Sequence, residues 1–178
     1  SIADCFGAMT AQHQQGQSAE EADWLIGAGL FTDAVHGVAL RSMKAPGTAY
    51  DDPVLGKDPQ PDSMAHYADL PHDAENDNGG VHINSGIPNR AFYLAATGIG
   101  GWTEEGAGLL WYDALTRGGL PRDADFATFA AATLARIAAS LQDFVRTRYP
   151  QPGPADDVPV TTRASPLSAV SCASSRRW

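Results

Sequence analysis

The segment Asn76-Asp77-Asn78-Gly79-Gly80-Val81-His82-Ile83-Asn84-Ser85 places an aspartate and a histidine five positions apart, with a Gly-Gly pair between them. Glycine adopts backbone angles that side chains forbid, so the pair allows a tight turn that returns the Asp77 carboxylate to the His82 imidazole. A carboxylate on one ring nitrogen fixes the tautomer and favours the imidazolium. Such a ring can donate a hydrogen bond or a proton to a developing oxyanion. Taken alone, the pattern also fits a loop histidine that caps a helix.

Helices are predicted on both sides of this turn. The first sixteen residues have helical periodicity, with Ile2, Phe6 and Met9 on one face. After the turn, Asn84 or Ser85 is expected to cap a helix that runs to about Thr97. Its predicted inward-facing residues are Ala91, Leu94 and Ala95.

Two further helices are predicted toward the carboxyl end. Thr103-Glu104-Glu105 is expected to open one that reaches Gly118, with an apolar face of Leu109, Tyr112 and Leu115. Asp123 or Asp125 is expected to open the last, whose apolar stripe keeps the helical period through Phe126, Phe129, Ala130, Leu134, Ile137 and Leu141.

The remaining segments predict the domain organisation. Residues 17–75 are rich in Gly, Pro and Asp and read as a long irregular excursion, with a short helix near Glu20 to Trp24. Residues 149–178 combine proline with Ser, Thr and Ala, and we expect this tail to be disordered. The fold class predicted is mainly α: a helical bundle domain over 1–148 with a long irregular loop insertion.

The run from Asn76 to Tyr93 resembles, nearly residue for residue, the signature of the C-terminal helical domain of thermolysin-like zinc metallopeptidases. Ser1 to Ala8 is similar to the end of the family's Asn-Glu-x-x-x-Asp-x-Phe-Gly helix. Two more segments resemble family patterns in the same order, Asp23-Trp24-Leu25-Ile26-Gly27 and Leu40-Arg41-Ser42-Met43. The resemblance extends from residue 1 to about residue 140 and implies an orthogonal helical bundle.

The resemblance implies roles for individual residues. His82, oriented by Asp77, would stabilise the tetrahedral oxyanion, and Arg41 would grip a substrate carbonyl oxygen. Asp4 matches an aspartate that accepts a hydrogen bond from a zinc-bound histidine; here we expect it to face solvent or Arg and Lys neighbours. The pocket for a bulky apolar residue after the cleaved bond would be lined by Ile26, Leu30 and Leu40, although Ile26 also fits a simple core position.

Metal ligands separate this chain from the complete family pattern. No His-Glu-x-x-His occurs among the five histidines, and the family's third zinc ligand is the Glu immediately before the position of Ser1. Zinc is therefore implied for a complete enzyme, and we expect none to be bound by this chain alone. Leu25 and Ala28 occupy acidic positions of a calcium pair and leave only Asp23, and Val38 replaces a further ligand. The calcium double site is predicted to be lost.

Composition narrows the function classes. A net charge of -9 argues against a nucleic-acid partner. No apolar run approaches the ~20 residues of a membrane span, and no signal peptide opens the chain, although the resemblance implies secretion. A buried thiol at Cys5 is favoured over a disulfide with Cys172.

Two hypotheses about function remain open at the level of sequence. The first is the C-terminal half of a zinc endopeptidase, inactive without an N-terminal zinc-binding domain as its partner and acting on peptide substrates. That partner would cover an apolar patch formed by Ile2, Phe6, Leu30 and Leu40. The alternative is a free-standing binding module or a truncated fragment.

Overall fold

The computed structural model describes residues 1–148 of the chain. It contains the helices α1 (Ile2–Gln15), α3 (Gly86–Ile99), α4 (Leu109–Arg117) and α5 (Phe126–Arg148), and between α1 and α3 a short turn, α2 (Asp77–Gly80), whose inner residues are not in helical conformation. Strands β1 (Leu25–Ile26) and β2 (Arg41–Ser42) form one antiparallel pair, and β3 (Asp51–Asp52) and β4 (Gly56–Lys57) form another. The mainly α fold and the long irregular excursion are thereby confirmed. The tail predicted to be disordered lies outside the described residues.

Aromatic contacts join the excursion to the helices. The Trp24 ring meets Phe92 of α3 edge to face at a centroid distance of 6.0 Å, and Phe92 meets Trp111 of α4 at 5.1 Å. Trp111 then meets Phe129 of α5 at 5.9 Å. Because edge-to-face pairs add to the stabilisation from burial, this series fixes the excursion against three helices.

The prediction of a short helix near Glu20 to Trp24 is wrong, because the structure has no helix there. Trp24 has a φ of 60°, outside the range of a right-handed helix, and its indole Nε1 donates a hydrogen bond to the Ala19 carbonyl. Burial of the indole, which is 2 % exposed, outweighs the backbone cost of this left-handed conformation.

The buried faces of α3 and α4 differ from those predicted. In α3 the buried side chains include Asn89, Phe92 and Ala96, whereas Leu94 is 54 % exposed. In α4 Trp111 and Ala114 are buried, and the Leu109 and Tyr112 side chains are exposed. The aromatic series decides both orientations, because each helix turns its ring toward Trp24 or its neighbours.

Of the three predicted helix starts, before α3, α4 and α5, the one before α5 is confirmed. Neither Asn84 nor Ser85 caps α3 with its side chain, so that prediction is wrong. Asp125 does cap α5, because its Oδ1 accepts the backbone N–H of Thr128 at 2.7 Å. Thr103 precedes a π-helical turn, Glu104–Gly108, rather than α4 itself.

Cys5 lies on α1 with no exposed surface, as the prediction of a buried thiol requires. Burial raises its pKa to about 12, so the thiol stays protonated at neutral pH. Cys172 lies outside the described residues. None of the helices in the described part of the chain is long and apolar enough to cross a membrane.

Candidate functional site

The turn before α3 is built from four consecutive residues with positive φ: Asp77 at 56°, Asn78 at 48°, Gly79 at 83° and Gly80 at 73°. A Cβ on Gly79 would lie 2.7 Å from the His72 ring, and one on Gly80 would lie 2.8 Å from the Asn84 amide nitrogen. Glycine is therefore required at Gly80 by both conformation and space.

This turn returns Asp77 to His82, as the sequence predicted. Asp77 Oδ1 lies 2.5 Å from His82 Nδ1. Asp77 Oδ2 accepts the backbone N–H groups of His82 at 2.7 Å and Ile83 at 3.1 Å. The hydrogen bond from the ring, helped by those from the backbone, holds the pKa of the Asp77 carboxyl below its usual value. The His82 side chain is 72 % exposed, so the oriented ring is open to a ligand.

Arg41 is held between two elements. Its strand β2 pairs with β1, where Arg41 lies opposite Ile26. Its Nη1 lies 3.6 Å from Oδ1 of Asp4 on α1, which provides the cationic neighbour expected for Asp4. The other oxygen of Asp4 accepts a hydrogen bond from Asn89 Nδ2 of α3 at 2.8 Å. With the side chains of Asp4 and Arg41 14 % and 25 % exposed, the guanidinium direction is set by the carboxylate.

One pocket of about 320 Å³ brings the main candidates together. Leu40, Arg41 and His82 line it with Gln60, and the remaining lining residues are Phe31, Tyr50, Leu55, Asp58, Pro59 and Ile83. A guanidinium and an imidazole thus line the same pocket as several apolar side chains. This combination suits a peptide, whose carbonyl groups accept hydrogen bonds and whose side chains can be apolar.

The other two predicted pocket residues lie nearby but do not line this pocket. A Cβ on Gly27 would lie 3.0 Å from the Cδ1 atoms of both Leu30 and Leu40, so these two leucines are neighbours across the glycine. Both are exposed, Leu30 at 67 % and Leu40 at 41 %. Ile26 packs against the core, as its alternative interpretation held. In the expected apolar patch, Ile2 and Phe6 also pack partly against the core.

Two buried residues at the site, Gln60 and Asn89, are not predicted by the sequence. Gln60 is 7 % exposed, and its Nε2 donates hydrogen bonds to the His82 carbonyl and to Ser85 Oγ, both at 2.8 Å. Asn89 is 1 % exposed and reaches Asp4 across the chain. Nothing in the local sequence signals either contact, because the partners are separated by 22 or more positions.

The described residues do not assemble a zinc ligand set, since no three His, Cys, Asp or Glu side chains within 1–148 gather in a group that could hold a metal ion. In the excursion, Asp52 accepts the backbone N–H groups of His36, Leu55 and Val54, which lower its pKa. The Asp23 carboxylate likewise accepts the N–H of Leu25. These carboxylates organise the loop through backbone hydrogen bonds.

Comparison with known proteins identifies the family. Residues 1–147 match the family model described as thermolysin metallopeptidase, alpha-helical domain. The chain therefore belongs to the thermolysin metallopeptidase family and represents its helical domain, as the resemblance implied.

Particular relatives agree with this assignment. An extracellular metalloprotease of Pectobacterium carotovorum subsp. carotovorum is 55 % identical over 138 residues, which are 78 % of this chain and 39 % of that protein. Protease PrtS of Photorhabdus sp. is 51 % identical over 134 residues, 75 % of this chain and 36 % of that protein. The solved structure of the precursor of protealysin, a metalloproteinase from Serratia proteamaculans, superposes with a TM-score of 0.70 at 54 % identity and covers 83 % of this chain and 42 % of that one. The chain thus spans about two fifths of the length of these relatives.

Proposed function

We propose that this chain is the C-terminal half of a zinc-dependent metalloendopeptidase, to which it contributes an oxyanion-stabilising histidine and a substrate-binding arginine. The observation that carries the proposal is the pocket lined by both Arg41 and His82, in which the His82 ring is oriented by its hydrogen bond to Asp77. Two relatives whose names include the word metalloprotease support the proposal, because this chain corresponds to part of their length.

His82 would act on the carbonyl oxygen of the peptide bond. As the carbonyl carbon of this bond is attacked, the carbonyl oxygen gains negative charge. A hydrogen bond from His82 to this oxygen strengthens while the charge develops. Asp77 accepts the hydrogen bond from Nδ1–H, so Nε2 is the ring nitrogen left for substrate, and it donates a hydrogen bond when the ring is protonated on both nitrogens. A hydrogen bond from this charged form of the ring is stronger than one from a neutral donor.

Arg41 would hold the substrate backbone beside the reacting bond. Its guanidinium presents several N–H donors in one plane, and Asp4 forms an ion pair with one side of it, with Nη1 3.6 Å from Oδ1. The remaining donors can reach a carbonyl oxygen of a bound peptide. Such a contact forms before the transition state and contributes mainly to substrate binding and alignment.

The metal and the general base belong to the proposed partner, an N-terminal domain of the same peptidase. In the family, zinc with a glutamate base activates the attacking water. Among the described residues of this chain, no three His, Cys, Asp or Glu side chains form a group that could hold a metal ion. On its own the chain is expected to hydrolyse nothing, and the complete enzyme would be exported, as the names of its extracellular relatives suggest.

Substrate choice would follow from Leu40 and Leu30. Both are exposed apolar side chains, Leu40 next to Arg41 in the chain and Leu30 close to Leu40, and they favour a bulky apolar residue directly after the cleaved bond.

The experiment joins this chain to the N-terminal half of the Pectobacterium relative and measures hydrolysis of a fluorogenic peptide with leucine after the scissile bond. Chelator-sensitive turnover by the joined protein, with none from either half alone, is the expected result. A soluble, zinc-loaded joined protein without activity would contradict the proposal and favour a non-catalytic module.

A further inference from the structure

We propose that Gln60 is a positioning residue for catalysis, because it fixes the peptide group of His82 and so the direction of the imidazole that Asp77 holds from the other side. This inference rests on the proposed function of His82.

The hydrogen bonds of Gln60 leave no ambiguity about its amide. Nε2 lies 2.8 Å from the His82 carbonyl oxygen and 2.8 Å from Ser85 Oγ. Ser85 Oγ donates its own hydrogen to the same carbonyl at 2.6 Å, so it must accept from the amide. The reverse orientation would place the Gln60 oxygen against a carbonyl oxygen. The His82 carbonyl therefore accepts two partly buried hydrogen bonds.

The loop that carries Gln60 is itself restrained. The Gln60 backbone N–H donates a hydrogen bond to Asp58 Oδ1 at 3.1 Å. Asp58 Oδ2 accepts hydrogen bonds from the backbone N–H groups of Gly47 and Ala49. A Cβ on Gly86 would lie 2.6 Å from the Pro61 carbonyl oxygen, so the loop presses directly on the start of α3. Gln60 thus joins this restrained loop to the segment that carries His82 and precedes α3.

His82 is consequently held on both of its peptide groups. Asp77 binds its N–H and its ring, and Gln60 with Ser85 binds its carbonyl. The ring itself is mostly exposed, so these backbone contacts and one carboxylate set its direction. Displacement of a catalytic group by ~1 Å costs on the order of 100-fold in rate.

The test uses the joined two-domain enzyme with Gln60→Ala and the size-conserving Gln60→Glu. Both variants should lower kcat by about 10- to 100-fold with KM nearly unchanged, since the ring is misplaced and substrate contacts persist. The introduced carboxyl group donates only when protonated, so Gln60→Glu should regain activity relative to wild type as the pH falls. Gln12→Ala is the matched control, because Gln12 is a 4 % exposed glutamine on α1 and does not line the pocket of His82. It should lower stability and leave kcat unchanged.

A double-mutant cycle with His82→Ala separates positioning from direct substrate contact. In the His82→Ala background, Gln60→Ala should cause no further loss of kcat, because the group through which it acts is gone. An equal loss in both backgrounds, or an unchanged kcat in Gln60→Ala, overturns the inference. Full turnover of His82→Ala alone would instead refute the proposed function. As a readout independent of activity, the histidine ring signals of zinc-free protein in nitrogen-15 NMR should shift for His82 in Gln60→Ala and stay in place in Gln12→Ala.

Discussion

Gly80→Ala should destabilise the fold through two separable costs. Gly80 has a φ of 73°, a conformation that costs an alanine about 1–2 kcal/mol. In addition, the new Cβ would lie 2.8 Å from Asn84 Nδ2. Asn84 is 2 % exposed and its side chain holds both the N–H and the carbonyl of Ala68, so it cannot swing away freely. Loss of such a buried hydrogen bond costs roughly 1–3 kcal/mol.

Gly101→Ala isolates the first cost. Gly101 has a φ of 70°, and a Cβ there meets no atom within 4 Å. We expect a loss of about 1–2 kcal/mol in the free energy of unfolding for Gly101→Ala and about 2–5 kcal/mol for Gly80→Ala. Urea unfolding followed by tryptophan fluorescence measures both. Equal losses in the two variants would refute the steric reasoning about the turn.

Three further predictions concern the site. Arg41→Lys should lower kcat/KM of the joined enzyme by about 10- to 100-fold, since an ammonium cannot satisfy Asp4 and a substrate carbonyl in one plane; steady-state kinetics showing an unchanged value would contradict this. Leu40→Ala should lower kcat/KM about 10-fold for leucine after the scissile bond and much less for alanine, while Val54→Ala, at a residue 91 % exposed, should change neither. The lowered pKa of Asp77 stabilises the fold fully above the unfolded aspartate value of about 3.9, and this contribution is lost as the pH falls through the folded value. The urea concentration at the midpoint of unfolding should therefore decrease at pH values below about 4. Asp77→Asn should be less stable than wild type at about pH 6 and should lose less stability on acidification. Identical pH profiles for the two proteins would count against the Asp77–His82 hydrogen bond.

The turn at Asp77 was predictable because all its determinants are local. Two glycines, a carboxylate and an imidazole lie within six positions, and backbone sterics alone connect them. The Asp125 cap was predictable for the same reason, since its acceptor and the Thr128 N–H are three positions apart.

Features set by distant partners were not predictable from a single sequence. The buried face of α3 is determined by Trp24 and Trp111, because both rings pack against Phe92 and Leu94 is left exposed. Ser85 is diverted from capping α3 to the His82 carbonyl and the Gln60 amide, a partner 25 positions away. Tertiary contacts of this kind override local capping and periodicity.

The central claim is that His82 stabilises the transition state. In the joined enzyme, His82→Ala should lower kcat by roughly 100- to 1000-fold, as removal of one oxyanion donor does, with KM little changed. His13→Ala is the matched control, because the side chain of His13 is 75 % exposed and also pairs with a carboxylate. Its Nδ1 lies 2.7 Å from Glu104 Oε1, and neither residue lines the pocket of His82. It should retain wild-type turnover. A kcat for His82→Ala equal to that of His13→Ala would contradict the account.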